Sequence, residues 1–268
     1  MSNRAFGIEI ECYAPDHIST DEYDDGMVVE DCDCSYCESN RNSSSNENDV
    51  YSLLRNAGFS SWANLTTGDS SLTSSYSGIE IKSPILQGED GFSELKKVFD
   101  LLNAERFWID STCGMHIHHD APEYRENFDM TMRLVQSWFE NQELIHNMVA
   151  DYRLENDYCP PWLDGDIDWI NTEKSFDSCD RNSLNVTSLH HHGTIEIRLH
   201  EGTMDYEEAE SWIKFGQSFI DSVSGRKKPL KPLTNEELLL RRIKVEKNAS
   251  RFLTTKAQRN KRDRFIHG

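Results

Sequence analysis

Apolar and polar residues alternate over residues 4–13, 78–83, 113–119 and 193–200, and more weakly over 181–187. A period of two predicts strands with one buried face. Three other stretches carry the 3.6-residue period of helices. Phe92, Leu95, Phe99 and Leu102 share one helix face; Phe128, Met132, Val135 and Phe139 share a second; Ala209, Trp212, Gly216, Phe219 and Val223 share a third. All three stripes read as core. Residues 14–48 follow neither period, being acidic and then rich in Ser and Asn, and predict a mobile acidic insertion. Thr234, with Glu237 three residues later, has the pattern of a capping box and predicts a helix running to about Arg264. Strands and helices in this irregular order predict an α+β fold, a mostly antiparallel sheet with helices on one face.

Successive side chains of a strand point to opposite faces, so each strong strand divides into two sets before its neighbours are known. Ile8 and Ile10, Ile79 and Ile81, Met115 and Ile117, and Ile195 and Ile197 face the helices. Opposite them stand Glu9 and Glu11, Glu80 and Lys82, His116 and His118, and Glu196, Arg198 and His200. A merely solvated sheet face mixes Ser, Thr and Lys, whereas this one gathers carboxylates and imidazoles at strand centres. Ionised carboxylates in one cluster repel and call for a cation. Oxygen-rich donors with a minority of His suit Mg²⁺ or Mn²⁺ better than Zn²⁺. The His116-Ile117-His118 pair also has the spacing of a zinc hydrolase, with Glu80 or Glu196 as its base, and a non-catalytic binding protein is the third alternative. His190-His191-His192 before Gly193 reads as a polar turn.

The net charge of −19 divides unevenly. Residues 225–268 hold 14 Lys/Arg and 4 Asp/Glu; residues 1–224 hold 14 Lys/Arg and 43 Asp/Glu. An acidic body repels nucleic acid, so any such partner must meet the basic tail. The nearest acidic surface for that tail is the body of this or a neighbouring subunit, which makes a homo-oligomer a candidate. The expected organisation is therefore a catalytic domain over 1–224 and a basic helical extension over 225–268. The polar start Met1-Ser2-Asn3-Arg4, the absence of a run of roughly 18 apolar residues and an odd number of cysteines point to a reduced cytoplasmic chain that needs no membrane. Cys32, Cys34 and Cys37 are dense enough to propose a structural Zn²⁺ site, with Cys12 or His17 as fourth ligand.

Several short motifs occur in a telling order. Phe6-Gly7-Ile8-Glu9-Ile10-Glu11 resembles the opening strand of the amidoligases and of the related glutamate–cysteine ligases. Asp69-Ser70-Ser71-Leu72 is similar to their Asp-Gly-Ser element, and Glu80-Ile81-Lys82-Ser83-Pro84 to their Glu-x-x-Ser-Pro strand. Gly114-Met115-His116-Ile117-His118 resembles Gly-x-His-x-His, and Thr194-Ile195-Glu196-Ile197-Arg198, with Gly202-Thr203 after it, the closing Thr-x-Glu-x-Arg segment. Ser70 and Lys82 depart from the family pattern, which has Gly and an apolar residue there. Residues 14–48 and 225–268 have no counterpart in it.

That resemblance implies a glutamine synthetase-like catalytic domain whose polar sheet face is a concave active site. It further implies an ATP-dependent ligase joining a small-molecule or peptide carboxylate to an amine through an acyl-phosphate. Oxide is a poor leaving group, so the acid must be phosphorylated before an amine can displace it, and that transfer is chiefly a matter of placing positive charge. Glu9, Glu11, Glu80, His116 and Glu196 are the expected metal ligands. His116, Arg198 and Lys82 are the expected nucleotide contacts, with Arg198 on the γ-phosphate, where its fork suits paired oxygens. Glu80, Glu196, Arg198 and His118 form the expected catalytic set, His118 as a proton acceptor. Asp69, Ser71, Arg181, Asn185 and His200 are the expected substrate contacts, His200 also being a candidate proton acceptor.

Overall fold

The computed structural model describes residues 3–18, 49–62, 64–67, 72, 78–170, 172, 176 and 178–267. Six strands form one sheet: β1 (Phe6–Tyr13), β2 (Asn64–Thr67), β3 (Gly78–Lys82), β4 (Gly114–Asp120), β5 (Leu184–Asn185) and β6 (Thr194–Glu201). Their order is β2-β3-β1-β4-β6-β5, and every pair is antiparallel. Strand β2 and the helix α1 (Val50–Asn56) carry no clear period and are not foreseen. The weak strand expected over 181–187 shrinks to β5, because residues 180–183 turn before pairing begins.

Helices α2 (Gly88–Ala104), α3 (Phe128–His146) and α6 (Tyr206–Ser224) arise where the 3.6-residue stripes predict them. Two have side-chain caps that satisfy otherwise unpaired N–H groups: the Asn127 carbonyl oxygen accepts from Met130 N–H, and the Asp205 carboxylate from Glu207 and Glu208 N–H. Ile8, Ile10, Ile79, Ile81, Met115, Ile117, Ile195 and Ile197 all enter one core with Leu95, Phe99, Trp138, Trp212, Phe215 and Phe219 of these helices. The opposite sheet face is thereby left to the polar set. Shorter helices α4 (Asp164–Trp169) and α5 (Ser188–His192) flank β5. The three histidines expected in a turn form α5 instead, which Gly193 ends in a left-handed conformation at φ 71°.

The C-terminal residues form two helices rather than one, α7 (Glu236–Arg242) and α8 (Lys247–His267). The cap is Asn235, one residue after Thr234, and accepts from Leu238 N–H. Lys244, at φ 63°, breaks the helix, and the Glu246 carboxylate then accepts from Asn248 and Ala249 N–H to start α8. Nor does α8 stand apart: it packs on α6, and Lys256 is buried. No helix among the described residues is long and apolar enough to cross a membrane.

Candidate active site

Strand register converts the alternation into a two-dimensional array. Glu9 is opposite Lys82 on one side and His116 on the other; Glu11 is opposite Glu80; His118 is opposite Glu196, which in turn faces Asn185. Glu80, Glu11, His116, Glu196 and Asn185 are buried, while Glu9, Lys82, His118 and Arg198 are half-buried and border the opening. Ser83 locks the start of the array: its N–H donates to the Ile8 carbonyl and its hydroxyl accepts from Ile8 N–H, so Pro84 can end β3 without loosening β1. A cavity of about 560 Å³ opens over this end of the sheet, bordered by Gly7, Glu9, Lys82, His118, His192 and Thr194. That lies within the roughly 300–1,000 Å³ of small-ligand sites.

Within the array the contacts divide into two clusters that share one imidazole. His116 Nδ1 lies 3.5 Å from Glu9 and 3.8 Å from Glu196, and its Nε2 lies 3.8 Å from Glu11. Glu9, His116 and Glu196 bring one donor atom each within 4.8 Å of one another, and Glu11, Glu80 and His116 do the same. Lys82 pairs with Glu80 at 3.0 Å and approaches Glu9 at 3.8 Å. Arg198 donates through Nη1 to Glu196 at 2.5 Å and through Nε to the Tyr158 carbonyl, while Asn185 donates to the other Glu196 oxygen at 2.7 Å.

Charge crowding shows in the acidities. Burial and the charge of Glu9 push the Glu80 carboxyl up, against the opposing hydrogen bond and charge of Lys82. Burial also works to raise Glu9, but hydrogen bonds and charge from His116 and His118 outweigh it and hold that carboxyl well below the usual range. His118 moves in the reciprocal sense. Burial lowers it, yet the hydrogen bond to Glu9 and the charges of Glu196 and Glu9 prevail over Arg198 and raise its pKa. Its Nδ1 is 2.9 Å from the Thr194 hydroxyl, which fixes the ring. Four carboxylates around one imidazole, in two triads of mostly oxygen donors, form a donor set that fits Mg²⁺ or Mn²⁺.

Not every expected site residue joins the array. His200 lies on the helix side, fully buried, with its ring 4.9 Å from that of Trp212. The reason is a bulge: Ile197 faces Ile117 but His200 faces Met115, so β6 holds one residue more than β4 and the alternation inverts beyond it. Arg181 is exposed, its guanidinium 5.8 Å from the Tyr158 ring centre. Asp69, Ser70 and Ser71 lie outside the described residues, as do Cys32, Cys34, Cys37 and the insertion around them. Cys12 is buried in the core on the helix side, and His17 is exposed.

One residue of the site is invisible to the alternation. Arg153, the last residue of a single-turn 3-10 helix (Asp151–Arg153), is only 2% exposed and donates to the carbonyls of Arg198 and Leu199. It lies over Gly114, whose N–H donates to Glu11 at 2.5 Å. A Cβ at Gly114 would stand 2.9 Å from the Arg153 Nη2 and 3.2 Å from the Glu11 Oε2, which is why this strand begins with glycine.

An open antiparallel sheet with a buried acidic face and a bordering cavity defines the class of an α+β protein whose carboxylates and imidazoles are grouped closely enough that they could hold a metal ion. Residues 2–220 match the family model described as "Putative amidoligase enzyme", and the chain belongs to that family. A comparison with curated proteins gives no match.

Proposed function

We propose that this chain is an ATP- and Mg²⁺-dependent carboxylate–amine ligase that activates its acid as an acyl-phosphate. The supporting observation is the convergence of Glu9, Glu11, Glu80 and Glu196 on His116, with Arg198 at the border, in a member of an amidoligase family. Glu9, His116 and Glu196 would hold one cation, and Glu11, Glu80 and His116 a second. Such ions, when bound, supply the positive charge that phosphate oxygens need as a phosphoryl group is transferred.

The chain's own residues do the rest. Arg198 has its Nη1 and Nε engaged by Glu196 and the Tyr158 carbonyl, which fixes the plane of the guanidinium and leaves Nη2 for an anion. Lys82 adds a second positive charge on the cavity wall. His118 lines the same cavity, and its raised pKa makes it the stronger base, suited to take the proton an amine loses on attack. Asn185 orients Glu196 without adding charge.

A screen of acids and amines for ATP-dependent phosphate release tests this reading. Glu9→Gln and Glu80→Gln should each abolish amide formation in a folded protein. Arg198→Ala should act mainly on kcat, by about 10²–10³-fold, because its charge matches the transferring group better than the resting nucleotide. Ligation that persists in Glu80→Gln with ATP and Mg²⁺ saturating, or a Zn²⁺-dependent hydrolysis that proceeds without ATP, overturns it.

A further inference from the structure

A bulge leaves strand carbonyls without ladder partners, and something must satisfy them. At the β6 bulge that group is Arg153, which donates to the Arg198 carbonyl through Nη2 at 2.8 Å and to the Leu199 carbonyl through Nε at 3.2 Å. The same guanidinium shares the space over Gly114 with the Glu11 carboxylate. A single buried side chain thus touches the peptide that aims Arg198 and confines one carboxylate of the acidic face.

What holds Arg153 is the segment 146–153, and α8 holds that segment at several points. Asn260 donates to the carbonyls of Asn147 and Val149 at 3.1 and 2.9 Å. Arg264 donates to the side chains of Asp151 and Asn147 and to the His146 carbonyl. On the same helix Lys256, 5% exposed, is bonded to Glu201 and Glu208 and lies 3.2 Å from His200 Nε2. Glu201 in turn accepts from Ala150 N–H at 3.0 Å. The spacing of His200, Glu201 and Glu208 would suit a metal ion, but the ammonium of Lys256 is the cation there. With Lys256 donating to Nε2, His200 is neutral and its Nδ1–H donates to the Glu201 carbonyl at 2.7 Å. All three α8 residues lie beyond residue 220, where the family match ends.

We infer that the C-terminal helix is a positioning element of the site: through Lys256, Asn260 and Arg264 it fixes segment 146–153 and Arg153, and so the placement of Arg198 and Glu11. This rests on the acidic face being a cation site. Its chemistry resembles that of outer groups around metal ligands, whose loss typically weakens metal binding by about 10–100-fold.

The test uses the full chain and Mn²⁺ alone, titrated by the paramagnetic resonance of the free ion, with melting curves alongside. In Lys256→Met, and in a double variant with Asn260→Ala and Arg264→Ala, the protein should be folded at the titration temperature and the Mn²⁺ Kd should rise about tenfold or more. Lys256→Arg should restore affinity. If Lys256→Met does not fold, the double variant decides. A helix that merely adds stability would lower the melting temperature and leave Mn²⁺ affinity within about twofold of the parent, a change below the range for such groups; that result overturns the inference. A parent protein that binds no Mn²⁺ overturns the cation site itself, and the inference with it.

Discussion

Gly216 belongs to the apolar stripe of α6, and the reason it lacks a side chain is His119. A Cβ there would stand 2.2 Å from the His119 Nε2 and 2.8 Å from the Ile197 Cδ1. The imidazole is fully buried, neither ring nitrogen has a hydrogen-bond partner among the described residues, and burial lowers its pKa to about 3, so it packs as a neutral ring. Gly216→Ala would gain roughly 1 kcal/mol of helix propensity. Overpacking costs about 1–3 kcal/mol and is the larger effect where the contact is a buried ring backed by the sheet. A net destabilisation read from the urea midpoint is the expected outcome; an unchanged or higher midpoint would show that α6 can shift. At this scale the sequence was most legible where alternation alone decides the face, as for Glu9, Glu80 and His116. Arg153 could not be found that way, since its role comes from a short 3-10 helix that carries it to a bulge more than forty residues further along the chain.

Elements were legible where their period was strong and failed where backbone geometry intervened. The strands around Ile8, Ile79, Ile117 and Ile195 were plain, as were the three core helices, because burial imposes the pattern. Counting in twos puts His200 on the polar face, and one extra residue in β6 reverses that count. The composition alone fits one continuous C-terminal helix because Lys244 is an ordinary helix former, whereas its left-handed conformation belongs to a Schellman-type stop in which Lys244 N–H donates to the Arg241 carbonyl and Val245 N–H to the Leu240 carbonyl. The junction between α8 and β6 carries a pH signature. Burial raises the Glu201 carboxyl, but the charge and hydrogen bond of the Lys256 ammonium and the Ala150 N–H outweigh it and bring it to about 2, below the ordinary 4.5. A depressed folded pKa gives stability that is fully present above the unfolded value and lost as pH falls from about 4.5 towards 2. For a shift of that size the contribution is on the order of 3 kcal/mol. Glu201→Gln should therefore melt lower than the parent at neutral pH, with the gap closing on acidification through that window. A gap independent of pH would mean that the Lys256–Glu201 pair does not link the two elements.

Across the whole molecule, the charge asymmetry seen in the sequence takes a definite form. Part of the basic tail is turned inward, with Lys256, Lys261 and Arg264 meeting Glu201, Glu208, Glu236 and Asp151 of the same chain. On the acidic face Lys82 and Arg198 each neutralise a neighbour, yet burial and the charge of Glu9 still push the Glu80 carboxyl up. A carboxyl whose folded pKa is raised is penalised when ionised, so at neutral pH the fold without cations is under strain at Glu80. Glu80→Gln imitates the protonated group, and the variant should melt higher than the parent in chelator. Adding Mn²⁺ should reverse the ranking. A ligand that binds only the folded state stabilises it by about 2.7 kcal/mol at a hundred times its Kd, and the parent should gain that increment while the variant, short of one donor, gains less. Melting curves of both proteins in chelator and across a Mn²⁺ series separate the two effects. If the variant melts lower than the parent in chelator and both respond equally to Mn²⁺, then Glu80 is held by its ion pair with Lys82 alone, and the acidic face is not a cation site.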